Sequence, residues 1–142
     1  SAISAYKKLL LPIVDIVTPN IFEANLLSNC EIKNKEDIEL SAKNIIMLGA
    51  KAVLIKGGGL KDMKGKDFYL DVNGKRKWFI NKFIDTQNTH GSGCTLSSAI
   101  CGYQALGFDL EESIKKGKLF IEKSLKKSYQ IGSGPGPLGH YQ

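Results

Sequence analysis

The sequence predicts an α/β domain in which helices cover a mainly parallel sheet, and three patterns predict it. Short apolar runs bounded by turn residues, at 13–17 and 52–55, read as buried strands. Stretches with apolar residues at helical spacing alternate with them, most clearly over 35–48. Residues 68–72 and 75–80 flank Asn73-Gly74, the signal of a hairpin with a two-residue turn.

Taken in order, residues 2–11 place Ile3, Tyr6, Leu9 and Leu10 on one helical face, with Pro12 as the stop. Thr18-Pro19 ends the first apolar run, and Asn20 caps a helix through Leu27. The helix over 35–48 turns Ile38, Ala42, Ile45 and Ile46 inward and stops at Gly49. The strand at 52–55 runs into Gly57-Gly58-Gly59. Residues 85–93 form a polar loop. Small and apolar residues alternate over 94–106, which reads as a helix packed closely on a sheet. Asp109 caps the last helix, to about Lys127, and the tail from Ile131 holds too much Gly and Pro for a regular element.

The 142 residues suit one domain, and 42% hydrophobic with 24% charged residues is ordinary for a globular chain. The net charge of +6 permits a polyanionic partner, nucleotide phosphates included. The lysines are scattered (Lys7, Lys8, Lys51, Lys115, Lys116, Lys126, Lys127), so no nucleic-acid partner is expected. No apolar stretch is long enough to span a bilayer, and no membrane partner is expected. Cys30, Cys94 and Cys101 are odd in number and lack C-x-x-C spacing, which points away from a disulfide framework or zinc knuckle. Free thiols suit a reducing cytosol, and a cytoplasmic location is the expectation. The first residue is Ser1, in what reads as mid-helix, which suggests a truncated or cleaved chain.

Three segments carry chemistry. Thr89-His90-Gly91-Ser92-Gly93-Cys94-Thr95 is a glycine-bearing loop feeding a helix. Unpaired N–H groups at a helix start, aided by the helix dipole, make an anion site. A tight turn with a buried structural Cys is the plainer reading. Thr18-Pro19-Asn20-Ile21-Phe22-Glu23 puts Asn20 and Glu23 on one face of a first helical turn. That is either a capping box or a pair holding water around Mg²⁺ at a strand's carboxyl end. Lys56-Gly57-Gly58 ends a strand, where Lys56 either reaches a phosphate or extends its stem to solvent. Three such segments at strand ends of one sheet would converge on one edge.

V-T-P-N-I-F-E-A-N, G-A-K-A-V-L-I-K-G-G, N-T-H-G-S-G-C-T-L-S-S-A-I and I-G-S-G-P-G-P-L-G-H closely resemble the hydroxymethylpyrimidine/phosphomethylpyrimidine kinases of thiamine synthesis, within the ribokinase-like superfamily. The resemblance implies a three-layer α/β/α fold, ATP and Mg²⁺ as cofactors, and a pyrimidine alcohol or its phosphate as the small-molecule substrate. It assigns Cys94 as the catalytic Cys, and Gly91, Ser92 and Gly93 as the anion hole. Lys56 and Thr89 become phosphate-binding, and Asn20 and Glu23 organise Mg²⁺ through water. His90 and His140 match residues given structural hydrogen bonds. Gly59 departs from the family's frequent His, without touching a catalytic step. The family's first half, with its pyrimidine pocket, has no counterpart upstream of Ser1. The resemblance therefore implies a C-terminal nucleotide-binding portion, 1–142, whose missing N-terminal half comes from another polypeptide, or which self-associates. A pyridoxine/pyridoxal kinase is the rival reading, with a non-catalytic nucleotide-binding fragment behind it. A thiol redox protein is disfavoured because Cys94 lacks a resolving partner at C-x-x-C spacing.

Overall fold

A computed structural model describes residues 2–141. The chain forms two compact units, the first up to Ile80 and the second from Asn81.

In the first unit, α1 (Ala2–Ala5) continues as a π turn, Tyr6–Leu10, and a 3-10 turn, Leu11–Ile13. Pro12 does not end it, because at the start of a 3-10 turn its absent N–H is not required. The expected inward face is also displaced. Ile3, Tyr6, Leu9 and Leu10 are exposed, and Leu11 is the residue fully buried. A π turn inserts an extra residue per turn and so rotates the face that follows.

The strand expected at 13–17 is reduced to isolated parallel bridges, Val17 with Val53 and Asn20 with Lys56. Its backbone does bond alongside β1 (Ala52–Lys56): Val17 N–H donates to Ala52 at 3.0 Å, and Leu54 N–H donates to Val17 at 2.9 Å. Pro19 has no N–H to continue the ladder, and Ile13 is exposed. The sheet is β1-β2-β3, with β2 (Lys66–Asp71) and β3 (Arg76–Ile80); β2–β3 is antiparallel, as the hairpin signal predicts, and β1–β2 is antiparallel too, where the sequence predicts a mainly parallel sheet. The links at 57–65 and 72–75 are too short for the crossover that parallel neighbours need.

The hairpin is present with a different turn. Asp71 N–H donates to Lys75 O, and Gly74 N–H donates to Asp71 O. Gly74 alone takes positive φ, at 80°. That is a three-residue loop closed by a left-handed glycine, since Asn73 does not adopt the left-handed conformation a two-residue turn demands.

α2 (Ile21–Ser28) and α3 (Lys35–Met47) form as the sequence predicts, with Gly49 at φ 108° ending the latter. Ile38, Ala42 and Ile45 of α3 join Val53, Ile55, Phe68 and Leu70 in one core. Trp78 Nε1 donates to Glu39 at 3.2 Å, which fixes β3 to α3.

In the second unit, α4 (Ser92–Ala105) packs on α5 (Leu110–Lys126) through Leu96, Ile100 and Ile114. The close packing expected of α4 is realised here against a helix. A Cβ on Gly117 would stand 3.1 Å from Ile100 and 3.3 Å from Leu96. Asp109 caps α5 by accepting Glu112 N–H at 2.8 Å. A hydrogen bond from Lys126, then one from Asn81, holds Glu122 below the usual carboxylate range. Its contribution is present above the unfolded carboxylate's pKa and is lost as pH falls through the lower folded value. The tail is irregular, as expected, and returns to α5, where Gly139 N–H donates to Ser124 O at 3.1 Å. Among the described residues, no helix is long and apolar enough to cross a membrane.

Candidate phosphate-binding turns

In the first unit the structure brings Asn20, Glu23 and Lys56 together. Asn20 N-caps α2: its Oδ1 accepts Glu23 N–H at 2.8 Å, and Glu23 Oε2 accepts Asn20 N–H at 2.8 Å. This is a reciprocal capping box. The bridge to Lys56 places that helix start at the carboxyl end of β1, where Lys56 N–H donates to Pro19 O at 2.9 Å.

Both capping residues are exposed, and Glu23 keeps a second carboxylate oxygen outside the box. Among the described residues, no group of three or more His, Cys, Asp or Glu could cage an ion. One carboxylate beside an amide fits an ion that keeps its own waters, as Mg²⁺ does. Removing the cap has a measurable cost whatever binds there: Asn20→Ala should lower stability by about 1 kcal/mol in urea unfolding.

Asp67 is not among the residues singled out from the sequence. It pairs in register with Lys56, is buried, and accepts Gly57 N–H at 3.1 Å. It thereby shapes the glycine turn that follows Lys56.

In the second unit the structure brings Thr89, Gly91, Ser92, Gly93 and Cys94 together at the start of α4. Gly91 is the N-cap, at φ 83°. Ser92 N–H donates to Thr89 O, and Thr95 N–H donates to Gly91 O in the first helical bond. Between them, the Gly93 and Cys94 N–H groups have no acceptor among the described residues. Cys94 is exposed beside these amides, and all three cysteines are free thiols. His90 is engaged through its backbone, which donates to Gly136 O at 3.2 Å. His140 Nε2 lies 3.0 Å from Thr95 Oγ1, within hydrogen-bond distance. From Cys94 an open groove of about 600 Å³ runs along α4, lined also by Ala99, Tyr103, Phe120 and His140.

The model of the family described as phosphomethylpyrimidine kinase matches residues 1–139. The chain belongs to the phosphomethylpyrimidine kinase family. A hydroxymethylpyrimidine/phosphomethylpyrimidine kinase of Synechococcus elongatus is 40% identical over 99% of this chain and 54% of its own length. A pyridoxine kinase of Bacillus subtilis is 38% identical over 96% of this chain and 51% of its own length.

Among solved structures, the ADP complex of Bacillus subtilis pyridoxal kinase superposes with a TM-score of 0.91. It is 37% identical and covers 97% of this chain and 54% of that one. A phosphomethylpyrimidine kinase from Clostridium difficile gives a TM-score of 0.69, with 35% identity, 85% of this chain and 48% of that one. The fold of this family member is therefore ribokinase-like α/β. The chain spans about half the length of the curated relatives it matches.

Proposed function

We propose that this chain is the nucleotide-binding portion, residues 1–142, of a kinase that transfers phosphoryl from ATP to 4-amino-5-hydroxymethyl-2-methylpyrimidine and then to its monophosphate. One observation carries the reading: two amides without acceptors, beside an exposed Cys94, open a long helix in a member of this family. Phosphoryl transfer depends chiefly on positioning and charge stabilisation. The Gly93 and Cys94 amides supply fixed dipoles for phosphate oxygens. Gly91, Ser92 and Thr89 hold that turn, and Lys56 supplies a mobile cation at the end of β1. Mg²⁺, when bound through water at Asn20 and Glu23, would neutralise charge on the phosphates. Cys94 accepts the proton of the substrate hydroxyl. The second transfer starts from a phosphate oxygen that is already anionic and hardly needs a base.

Calorimetric titration of the chain with Mg-ADP tests the nucleotide site. Saturable binding that Lys56→Ala weakens about tenfold is the expected result, since a charge-assisted phosphate contact is lost. Heat indistinguishable from dilution would end the reading. In an enzyme restored to full length, Cys94→Ala should slow the first transfer about 10²- to 10⁴-fold and the second far less. Equal loss in both steps would remove Cys94 from the base role.

The higher TM-score with pyridoxal kinase favours one second reading, in which pyridoxal is the acceptor. Turnover of the two alcohols by the restored enzyme separates these. The same proposal holds that a companion polypeptide supplies the remaining part of the kinase or that the chain self-associates, since the chain spans about half the length of its relatives. A clean monomer in light scattering would count against both.

A further inference from the structure

We propose that Asn88 is a positioning residue: with Gly136 it forms a clasp that fixes the first turn of α4, and with it the direction of the free Gly93 and Cys94 amides. The consequence for ligands rests on reading that turn as an anion site.

Asn88 Oδ1 accepts Gly136 N–H at 2.9 Å. The carbonyl of the same glycine accepts His90 N–H at 3.2 Å. One tail residue is thus held by both its donor and its acceptor, and a parallel bridge joins His90 to Pro137. On the loop side, Asn88 N–H donates to Thr86 Oγ1, which lies 3.1 Å from Ser128 Oγ at the end of α5. Asn88 thus ties the loop to the tail, and Thr86, which its N–H holds, meets Ser128 just past α5.

Gly136 is buried and admits no side chain. A Cβ there would stand 2.0 Å from Tyr129 O and 2.6 Å from Asn88 Oδ1. Further along, Thr95 Oγ1 and His140 Nε2 meet at 3.0 Å, so the tail touches α4 on the other side of the free amides as well.

The need for such a clasp follows from the glycines. Only Gly91 separates His90 from the first residue of α4. Glycines at 91 and 93 leave a turn with more backbone freedom than other residues would allow. Donors aimed at an anion are effective only when their direction is set beforehand. The clasp restrains the loop just before Gly91, and the Thr95–His140 contact restrains the helix just after Cys94.

The experiment follows the Gly93 and Cys94 amide resonances of the ¹⁵N-labelled chain, alone and titrated with Mg-ADP. Asn88→Ala should shift both resonances in the free chain and weaken Mg-ADP about tenfold. Asn88→Asp keeps an acceptor oxygen in place and should retain both resonances; its added charge acts on ADP directly, so it is scored on resonances alone. Gly136→Ala breaks the clasp from the tail side and should reproduce the Asn88→Ala shifts. Resonances of Leu96 and Ile114 report whether the unit stays folded. If Asn88→Ala loses them, Asn88→Ser, with its shorter reach, takes its place. The proposal is overturned if the alanine variant loosens only the tail and leaves the two amides unmoved, or if Asn88→Asp disturbs them as much as alanine. Failure of the unaltered chain to bind Mg-ADP would instead strike the anion-site reading, while the free-chain resonances still judge the clasp.

Discussion

Gly57→Ala is expected to destabilise the first unit by about 3 kcal/mol or more, the upper end of what overpacking costs, because the conflict is with backbone. A Cβ at this position would stand 2.2 Å from Lys66 O and 2.9 Å from Met63 O. Both are backbone atoms of the segment that leads into β2, so neither can swing aside as a side chain would. The glycine is buried, and its N–H is bonded to the Asp67 carboxylate, so moving it also breaks that bond. Gly58 gives the control within the same turn. An added Cβ there meets nothing within 4 Å, and Gly58→Ala should stay within about 0.5 kcal/mol of the parent. Urea midpoints of the two variants decide the matter. Near-equal midpoints would mean the chain around residues 57–66 relaxes freely.

The second large effect is expected at Ile45. It is fully buried in α3, within the core that joins α2, α3 and one face of the sheet. Ile45→Ala should lower stability by about 2–5 kcal/mol, from lost burial plus the cavity left behind. Leu40 lies on the same helix with half its surface exposed, and Leu40→Ala should change stability by about 0.5 kcal/mol or less. Thermal unfolding with both variants separates the burial effect from any change in helix propensity.

Asn20 and Asp109 announced their helices correctly because capping is local: each side chain bonds a backbone N–H three residues on. The inward face of α3 was legible for the same reason, since a helical period is written in consecutive residues. Strand direction was local only in part. The hairpin signal at Asn73-Gly74 gave the direction of β2 against β3, but an apolar run such as 52–55 looks alike in either direction, and only the short link at 57–65 makes β1–β2 antiparallel. The π turn at Tyr6–Leu10 and the left-handed glycine in the hairpin lay below what residue type reveals.

At the candidate site, the glycines at 91 and 93 pointed to free amides at the start of α4, and the Asn20–Glu23 spacing pointed to the cap. The adjacency of Asn20 and Lys56 follows from Pro19 bonding to β1, 37 residues away in sequence. Neither Asp67 nor Asn88 was given a role from the sequence, because each acquires one only from a glycine N–H that the fold brings to it. Asn88 and Gly136 are separated by 48 residues.

The β1-β2-β3 meander bears on the order of folding. Its strands meet neighbours in sequence, so closing them forfeits little chain entropy, and both pairings can form without waiting for a distant segment. The extended stretch at 14–20 needs β1 already in place as its template. Residues 52–80 are therefore expected to nucleate the first unit, with substitutions at Phe68 slowing refolding and those at Val17 chiefly hastening unfolding. Stopped-flow refolding of the two variants would show the reverse if the amino-terminal stretch organised first.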